Sequence, residues 1–266
     1  MAAAAVSTGV VTALAVYPVK GLSAQRLDSV RLNAGEGVPG DRAWALARAD
    51  GIYRAGTRRP VPKAEFHVLV RDERLAGLQT RLDEGSVLTV SVGGHPVLRA
   101  DLDTGRGRGQ AEEFFARVLD LPVGAEPVVA RESGRRFTDV SVVSDAMMNA
   151  VSFVNLASVR ALEERIGSPV DPFRFRANVY VDGLPAWSER SIVGGRIRVG
   201  EVALEATLTT KRCAATEVNP HDARRDLPVP RLLQQHFGHV EMGVYGEVRE
   251  PGEVRIGDPV VWDSDA

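Results

Sequence analysis

The sequence predicts a mainly β (α+β) chain of barrel-like architecture with a few helices. Three observations carry this. Short runs rich in β-branched residues recur between turns containing Gly, Pro or Asn. Few stretches of the 266 residues repeat apolar side chains at helical spacing. Strands and helices do not alternate regularly, as a doubly wound sheet would require, and no internal repeat shows a fixed period.

Residues 10–16 are β-branched and stop at Tyr17-Pro18, so they read as a strand feeding the loop that carries Lys20-Gly21. A second extended run covers 27–32, the turn-rich stretch 33–41 follows, and residues 42–47 resume a strand pattern. Residues 51–63 crowd Arg54, Arg58, Arg59 and Lys63 among glycine and proline, which predicts a mobile basic loop. Further strands are expected at 66–71, 86–92 and 95–100, the last two joined by a Gly93-Gly94 hairpin turn. Residues 101–109 read as a polar connection. Its Gly105-Arg106-Gly107-Arg108-Gly109 makes a poor phosphate loop, because no apolar strand enters it and no Lys-Ser pair follows.

Residues 110–119 place Phe114, Phe115, Val118 and Leu119 at helical spacing, and Pro122 ends the helix. Residues 155–167 set Leu156, Val159, Leu162 and Ile166 on one face and close at Gly167. An extended run is expected at 175–181. Residues 197–206 read as a strand, with Val202, Leu204 and Ala206 opposite Glu201, Glu205 and Thr207, that delivers Cys213 to a loop. A short helix at 230–237 and one or two strands within 253–262 complete the chain. The expected units are 8–100, a connecting segment with a helix at 101–124, and 125–266.

Hydrophobic residues make up 44% and charged residues 26%, the balance of a folded globular chain, so disorder is not expected. A formal net charge of −2 gives no general attraction to nucleic acid or to an anionic membrane, so an anion site must be built locally. One cysteine excludes an intramolecular disulfide, a Cys-rich zinc site and a four-Cys iron–sulfur cluster, and a cytoplasmic location is the simplest expectation. The apolar residues 1–16 lack the basic start of a targeting segment and read as a loose end before a strand.

That cysteine sits in Thr209-Thr210-Lys211-Arg212-Cys213-Ala214-Ala215-Thr216-Glu217-Val218-Asn219-Pro220. A thiolate is a soft ligand and a nucleophile, and neighbouring cations favour it over the thiol. Other cationic stretches also fall beside strand ends or turns: Lys20-Gly21, Asp41-Arg42, and Arg174-Phe175-Arg176 with Asn178. Together they have the donors to cradle a phosphate. His221, Asp222 and Glu217, in the cysteine loop, are candidate proton donors. His236 and His239 lack the glutamate of a zinc protease, and G-x-S-x-G, Walker and H-E-x-x-H motifs are absent.

In order and spacing, Tyr17-Pro18-Val19-Lys20-Gly21, Gly40-Asp41-Arg42-Ala43-Trp44, Arg174-Phe175-Arg176-Ala177-Asn178, Lys211-Arg212-Cys213 and the stretch 252–260 resemble the landmarks of MOSC proteins, which carry a molybdenum cofactor sulfurase C-terminal domain behind an N-terminal β-barrel domain. The resemblance covers nearly the whole chain. It is similar to the amidoxime-reducing members, which reduce N-hydroxylated compounds. The resemblance implies a molybdenum cofactor (a molybdopterin) with Cys213 as the metal ligand and catalytic centre. It implies cofactor contacts from Lys20, Gly21, Arg42, Asn155, Arg174, Arg176, Asn178, Lys211, Arg212 and Cys213. Electrons are expected from a separate ferredoxin- or flavin-type reductase, since one cysteine ligates no cluster. The alternative is a sulfur-carrier or cofactor-handling protein with a Cys213 persulfide.

Overall fold

The computed structural model describes residues 7–56 and 59–263. In chain order the strands and helices are β1 (Ser7–Val16), β2 (Gln25–Leu27), β3 (Ser29–Leu32), β4 (Trp44–Ala47), β5 (Gln79–Leu82), β6 (Val87–Val92), β7 (His95–Asp101) and α1 (Gly105–Leu119). Then come β8 (Val128–Arg131), α2 (Asp145–Met148), β9 (Val151–Asn155), α3 (Leu156–Ile166), β10 (Val179–Asp182), β11 (Arg196–Val199), β12 (Val202–Lys211), α4 (Val229–Phe237), β13 (Glu241–Glu250), β14 (Gly252–Arg255) and β15 (Pro259–Asp263). The chain is mainly β, as expected. The expected loose end over residues 1–6 and Arg58 of the basic loop lie outside the described residues.

Seven strands close a barrel in the order β10-β9-β13-β12-β11-β15-β1, with β1 returning to β10. Only the β9–β10 pairing is parallel; the other barrel pairings are antiparallel. The first strand makes closure possible. Its N-terminal half pairs Ser7 with Trp262 and Gly9 with Val260, an irregularity follows at Val11/Ala13, and Leu14 then faces Val179 on one side and Leu27 on the other. Closure leaves the barrel without open edges, and its interior holds one layer of buried side chains from every strand. Val11, Phe153, Val181, Ile197, Leu204, Val244 and Trp262 belong to this core.

A second core lies under the β5–β6–β7 meander, the β4–β8 pair and α1, built from Trp44, Leu46, Leu75, Leu88, Leu102 and Phe115. Burying Phe115 alone is worth about 2–3 kcal/mol. Outside the barrel, α3 and α4 cover Tyr17, Val154, Phe175 and Tyr180 with Val159, Leu162, Val229 and Leu233. No described helix is long and apolar enough to cross a membrane.

Several elements differ from the sequence expectation. Residues 105–109 of the expected polar connection are in fact the start of α1, capped by Thr104 Oγ1 accepting from Gly107 N at 3.0 Å. Gly107 is required there, because a Cβ would stand 1.9 Å from Asp101 O. The run 66–71 forms no strand beyond a single Ala47–Phe66 bridge, since Asp72 Oδ2 accepts from Val68 N at 3.2 Å and closes a turn. Residues 197–206 are a hairpin of two strands, with Arg196 paired to Glu205 and Val199 to Val202. At 175–181 the extended run begins only at Val179, after a single-turn helix, Pro172–Phe175, and a left-handed Arg176.

A cationic cleft around Cys213

β1 ends at Val16, and the loop after it is stitched to the segment before β4. Lys20 N donates to Trp44 O at 2.8 Å, Arg42 N to Tyr17 O at 2.7 Å, and Tyr17 N to Asp41 Oδ1 at 2.9 Å. Phe137 N donates to Arg42 O at 2.7 Å, which brings the stretch after β8 to the same place. These ties aim Lys20 and Arg42 inward. Gly21 can turn there because its φ is +86°, and a Cβ would stand 2.8 Å from His67 O.

From the barrel side, Arg176 stands at φ +54° just after the Pro172–Phe175 turn, and its carbonyl accepts from Arg42 Nη2 at 2.7 Å. Asn178 is buried at the cleft floor, where its Oδ1 accepts from Ser152 Oγ at 2.8 Å and its Nδ2 donates to Ala15 O at 3.2 Å. β12 ends at Lys211 and releases Arg212 and Cys213 into a single-turn helix, Ala214–Glu217. Cys213 O accepts from Thr216 N at 3.0 Å and Thr216 Oγ1 at 2.9 Å, and the residue is half-buried.

These elements enclose a cleft of ≈ 350 Å³ lined by Lys20, Gly21, Arg42, Arg174, Arg176, Asn178, Lys211, Arg212 and Cys213. Asn155 is elsewhere. It caps α3, accepting from Ala157 N at 3.0 Å, and donates to Pro185 O at 2.8 Å and Glu189 Oε2 at 3.2 Å. Glu217, His221 and Asp222 also miss the lining: Glu217 pairs with Arg225, His221 with Asp171 and Asp222 with Arg224.

Seven cations line the cleft against two carboxylates, Asp41 and Asp139. Asp41 is paired to Arg42. Asp139 takes Lys20 and lies 3.6 Å from Lys63 Nζ. Desolvation opposes its charge, but Lys20 and Lys63 outweigh it and hold its carboxyl well below the usual range. Arg176 has no carboxylate partner among the described residues; desolvation first and Arg42 second push it down to about 10. Arg42 and Arg176 each lie 4.4 Å from the Tyr17 ring centroid, and the buried Tyr17 hydroxyl meets that of Tyr180 at 2.9 Å. Guanidinium and ammonium groups in such excess supply the donors that suit an anion.

Arg212 commits its guanidinium to backbone, donating to Met242 O and, at 2.8 Å, to Phe175 O. Lys63, from the basic loop, lines the cleft with Cys213 and lies 3.6 Å from Asp139. Lys63, Asp139, Thr210 and Tyr245 line the cleft without having been singled out as site residues from sequence. The crowding of cations before Lys63 was the one visible signal. Among the described residues no group of three or more His, Cys, Asp and Glu is placed to hold a metal, so the chain offers a metal in this cleft a single thiolate.

The family model described as the MOSC domain matches residues 140–261, and that described as the MOSC N-terminal beta barrel domain matches residues 8–124. The chain belongs to the MOSC family. Over 279 residues, 95% of this MOSC chain and 84% of the relative, it is 26% identical to the mitochondrial amidoxime-reducing component 1 of Danio rerio. It is 25% identical to the molybdenum cofactor sulfurase of Drosophila ananassae over 252 residues, which are 87% of this chain and 31% of that protein. Among solved structures, the YuaD protein from Bacillus subtilis aligns over 96% of this chain and 94% of its own, at 15% identity and a TM-score of 0.42.

Proposed function

We infer that the cleft holds the molybdenum cofactor and that the chain is an oxidoreductase that reduces N-hydroxylated compounds with electrons from a separate protein. The observation that carries this reading is the meeting of one thiol and an excess of cations in a single cleft of ≈ 350 Å³. The donor set fits a metal bound to an anionic organic group: a soft thiolate suits the metal, and guanidinium and ammonium groups suit a phosphate. Cys213 would supply the protein sulfur, and Lys20, Arg42, Arg176 and Arg212 would hold the anionic tail. When bound, the group supplies a two-electron metal centre able to take oxygen from an N–O bond.

The chain's own residues orient that group and manage protons beside it. Lys63, which lines the cleft with Cys213 and pairs with Asp139, places a cation in the same cleft as the sulfur. Desolvation raises the Tyr245 hydroxyl, so it stays a neutral donor on the cleft wall. Val68, Leu69, Phe175 and Leu208 give the cleft apolar walls that exclude water. Similarity to the amidoxime-reducing relative over most of both chains supports a reductase.

Reduction of benzamidoxime by the molybdenum-loaded chain with a chemical electron donor is the test. Turnover is expected, and loaded protein that leaves benzamidoxime unchanged would overturn the reductase reading. Metal-free protein carrying a cyanide-labile sulfur on Cys213 would replace it with the sulfur-carrier reading, to which the similarity with the sulfurase relative also leads.

A further inference from the structure

Beside the cleft lies a second cavity of ≈ 180 Å³. Its walls come from the loop after β1, the single-turn helix before β10 and the end of the cysteine loop. Leu22, Ala24, Phe173, Val218 and Pro220 make most of the surface apolar. Gly21, Leu69, Arg174 and Arg176 belong to the lining of both cavities.

The charged groups here differ in how fully they are matched. Asp171 Oδ1 accepts from Phe173 N at 2.7 Å and Oδ2 faces His221 Nε2, so this carboxylate is committed. Arg174 is paired with Asp226 at 3.1 Å. Neither Arg176 nor Arg26 has a carboxylate partner among the described residues, but Arg176 donates to Leu22 O at 2.6 Å and lies against the Tyr17 ring, whereas Arg26 makes no side-chain hydrogen bond among the described residues and its guanidinium lies 4.3 Å from the centroid of the Phe173 ring. A guanidinium held against an aromatic ring by cation–π attraction keeps N–H groups for an anion, and an apolar chamber beside it excludes a bare hydrated ion. The volume is below the roughly 300 Å³ at which pockets for drug-sized ligands begin, and it suits one ring.

We propose that this cavity binds a compact apolar carboxylate, a small aromatic or branched aliphatic acid, with the carboxylate on Arg26 and the hydrocarbon body against Leu22, Phe173, Val218 and Pro220. The cavity adjoins the cysteine cleft, but Arg26, which takes the carboxylate, lines this cavity alone, and the proposal does not depend on which cofactor the cleft holds.

Isothermal titration of the full chain, as purified, with benzoate tests it, with benzamide as the neutral counterpart. Saturable binding of benzoate is expected, with benzamide about tenfold weaker or more. Arg26→Ala removes an exposed side chain that no described hydrogen bond uses, so the variant should fold with an unchanged melting temperature and bind benzoate about tenfold more weakly. Lys211→Ala, which alters the cysteine cleft alone, should leave benzoate binding as it was. No saturable benzoate binding, equal affinity in Arg26→Ala, or loss in Lys211→Ala would each overturn the proposal. Because binding is read as heat, molybdenum-free or inactive protein does not change the outcome.

Discussion

Arg42 and Arg176 both occupy left-handed backbone positions, at φ +48° and +54°, which non-glycine residues adopt rarely and at a cost. Both press like charge against the Tyr17 ring, and desolvation with mutual repulsion pushes Arg176 down to about 10. A binding site that conflicts with itself while empty trades stability for affinity. Arg176→Gln should therefore raise the melting temperature of cofactor-free protein by ~2–4 °C, about 1 kcal/mol, while lowering the molybdenum retained after purification. A lower melting temperature in calorimetry would contradict this. Asp139 gives the pH counterpart. Its folded-state value lies below its unfolded one, so its contribution is complete above about pH 4 and is lost as pH falls further. Asp139→Asn should therefore lower stability at neutral pH, where the contribution is complete, and flatten the acid limb of a stability–pH curve below about pH 4, the neutral-pH loss staying modest because its side chain is half exposed.

Arg225 shows how elements, rather than single contacts, place the sulfur. Its guanidinium donates to Ala214 O at 3.0 Å beside the cysteine, and to Leu69 O at 2.9 Å and Val70 O at 2.8 Å in the segment between β4 and β5. It also pairs with Glu73 and Glu217. One side chain thus ties the cysteine loop to the opposite wall of the cleft. Arg225→Ala should cost about 1–2 kcal/mol in urea unfolding and leave Cys213 faster to alkylate in metal-free protein; unchanged alkylation would show that the loop holds its place unaided. At the start of α1, Gly107→Ala drives a methyl group into the Asp101 backbone and should cost about 3 kcal/mol or more, measured by the same unfolding. A near-neutral effect would mean that the first turn is held elsewhere.

Across the whole molecule, much of the architecture was legible because turn chemistry and alternation are local. Gly167 ends α3, Gly93-Gly94 joins β6 to β7, and Val202, Leu204 and Ala206 face the core as their spacing predicts. What was hidden depends on chain topology. β13 is the longest strand beside β1 and β12, yet Gly243 and Gly246 break its apolar run, so alternation of Met242, Val244 and Val248 went unread. The glycines at 105–109 disguised a helix that is fixed by one cap and one close backbone approach. At the cleft, cations written beside turns announced themselves. Lys63 was visible only as part of a basic loop and Asp139 not at all, because only barrel closure and the β4–β8 pair carry their segments to Cys213. Asn155 has the burial of a site residue and spends it on capping α3 and holding Glu189.

The most direct measurement is the molybdenum content of the chain purified from a host that makes molybdopterin. About one molybdenum per chain is expected in the wild type, none in Cys213→Ala, and a reduced amount in Arg42→Ala. Wild-type protein without molybdenum, or Cys213→Ala that keeps the full amount, would contradict this.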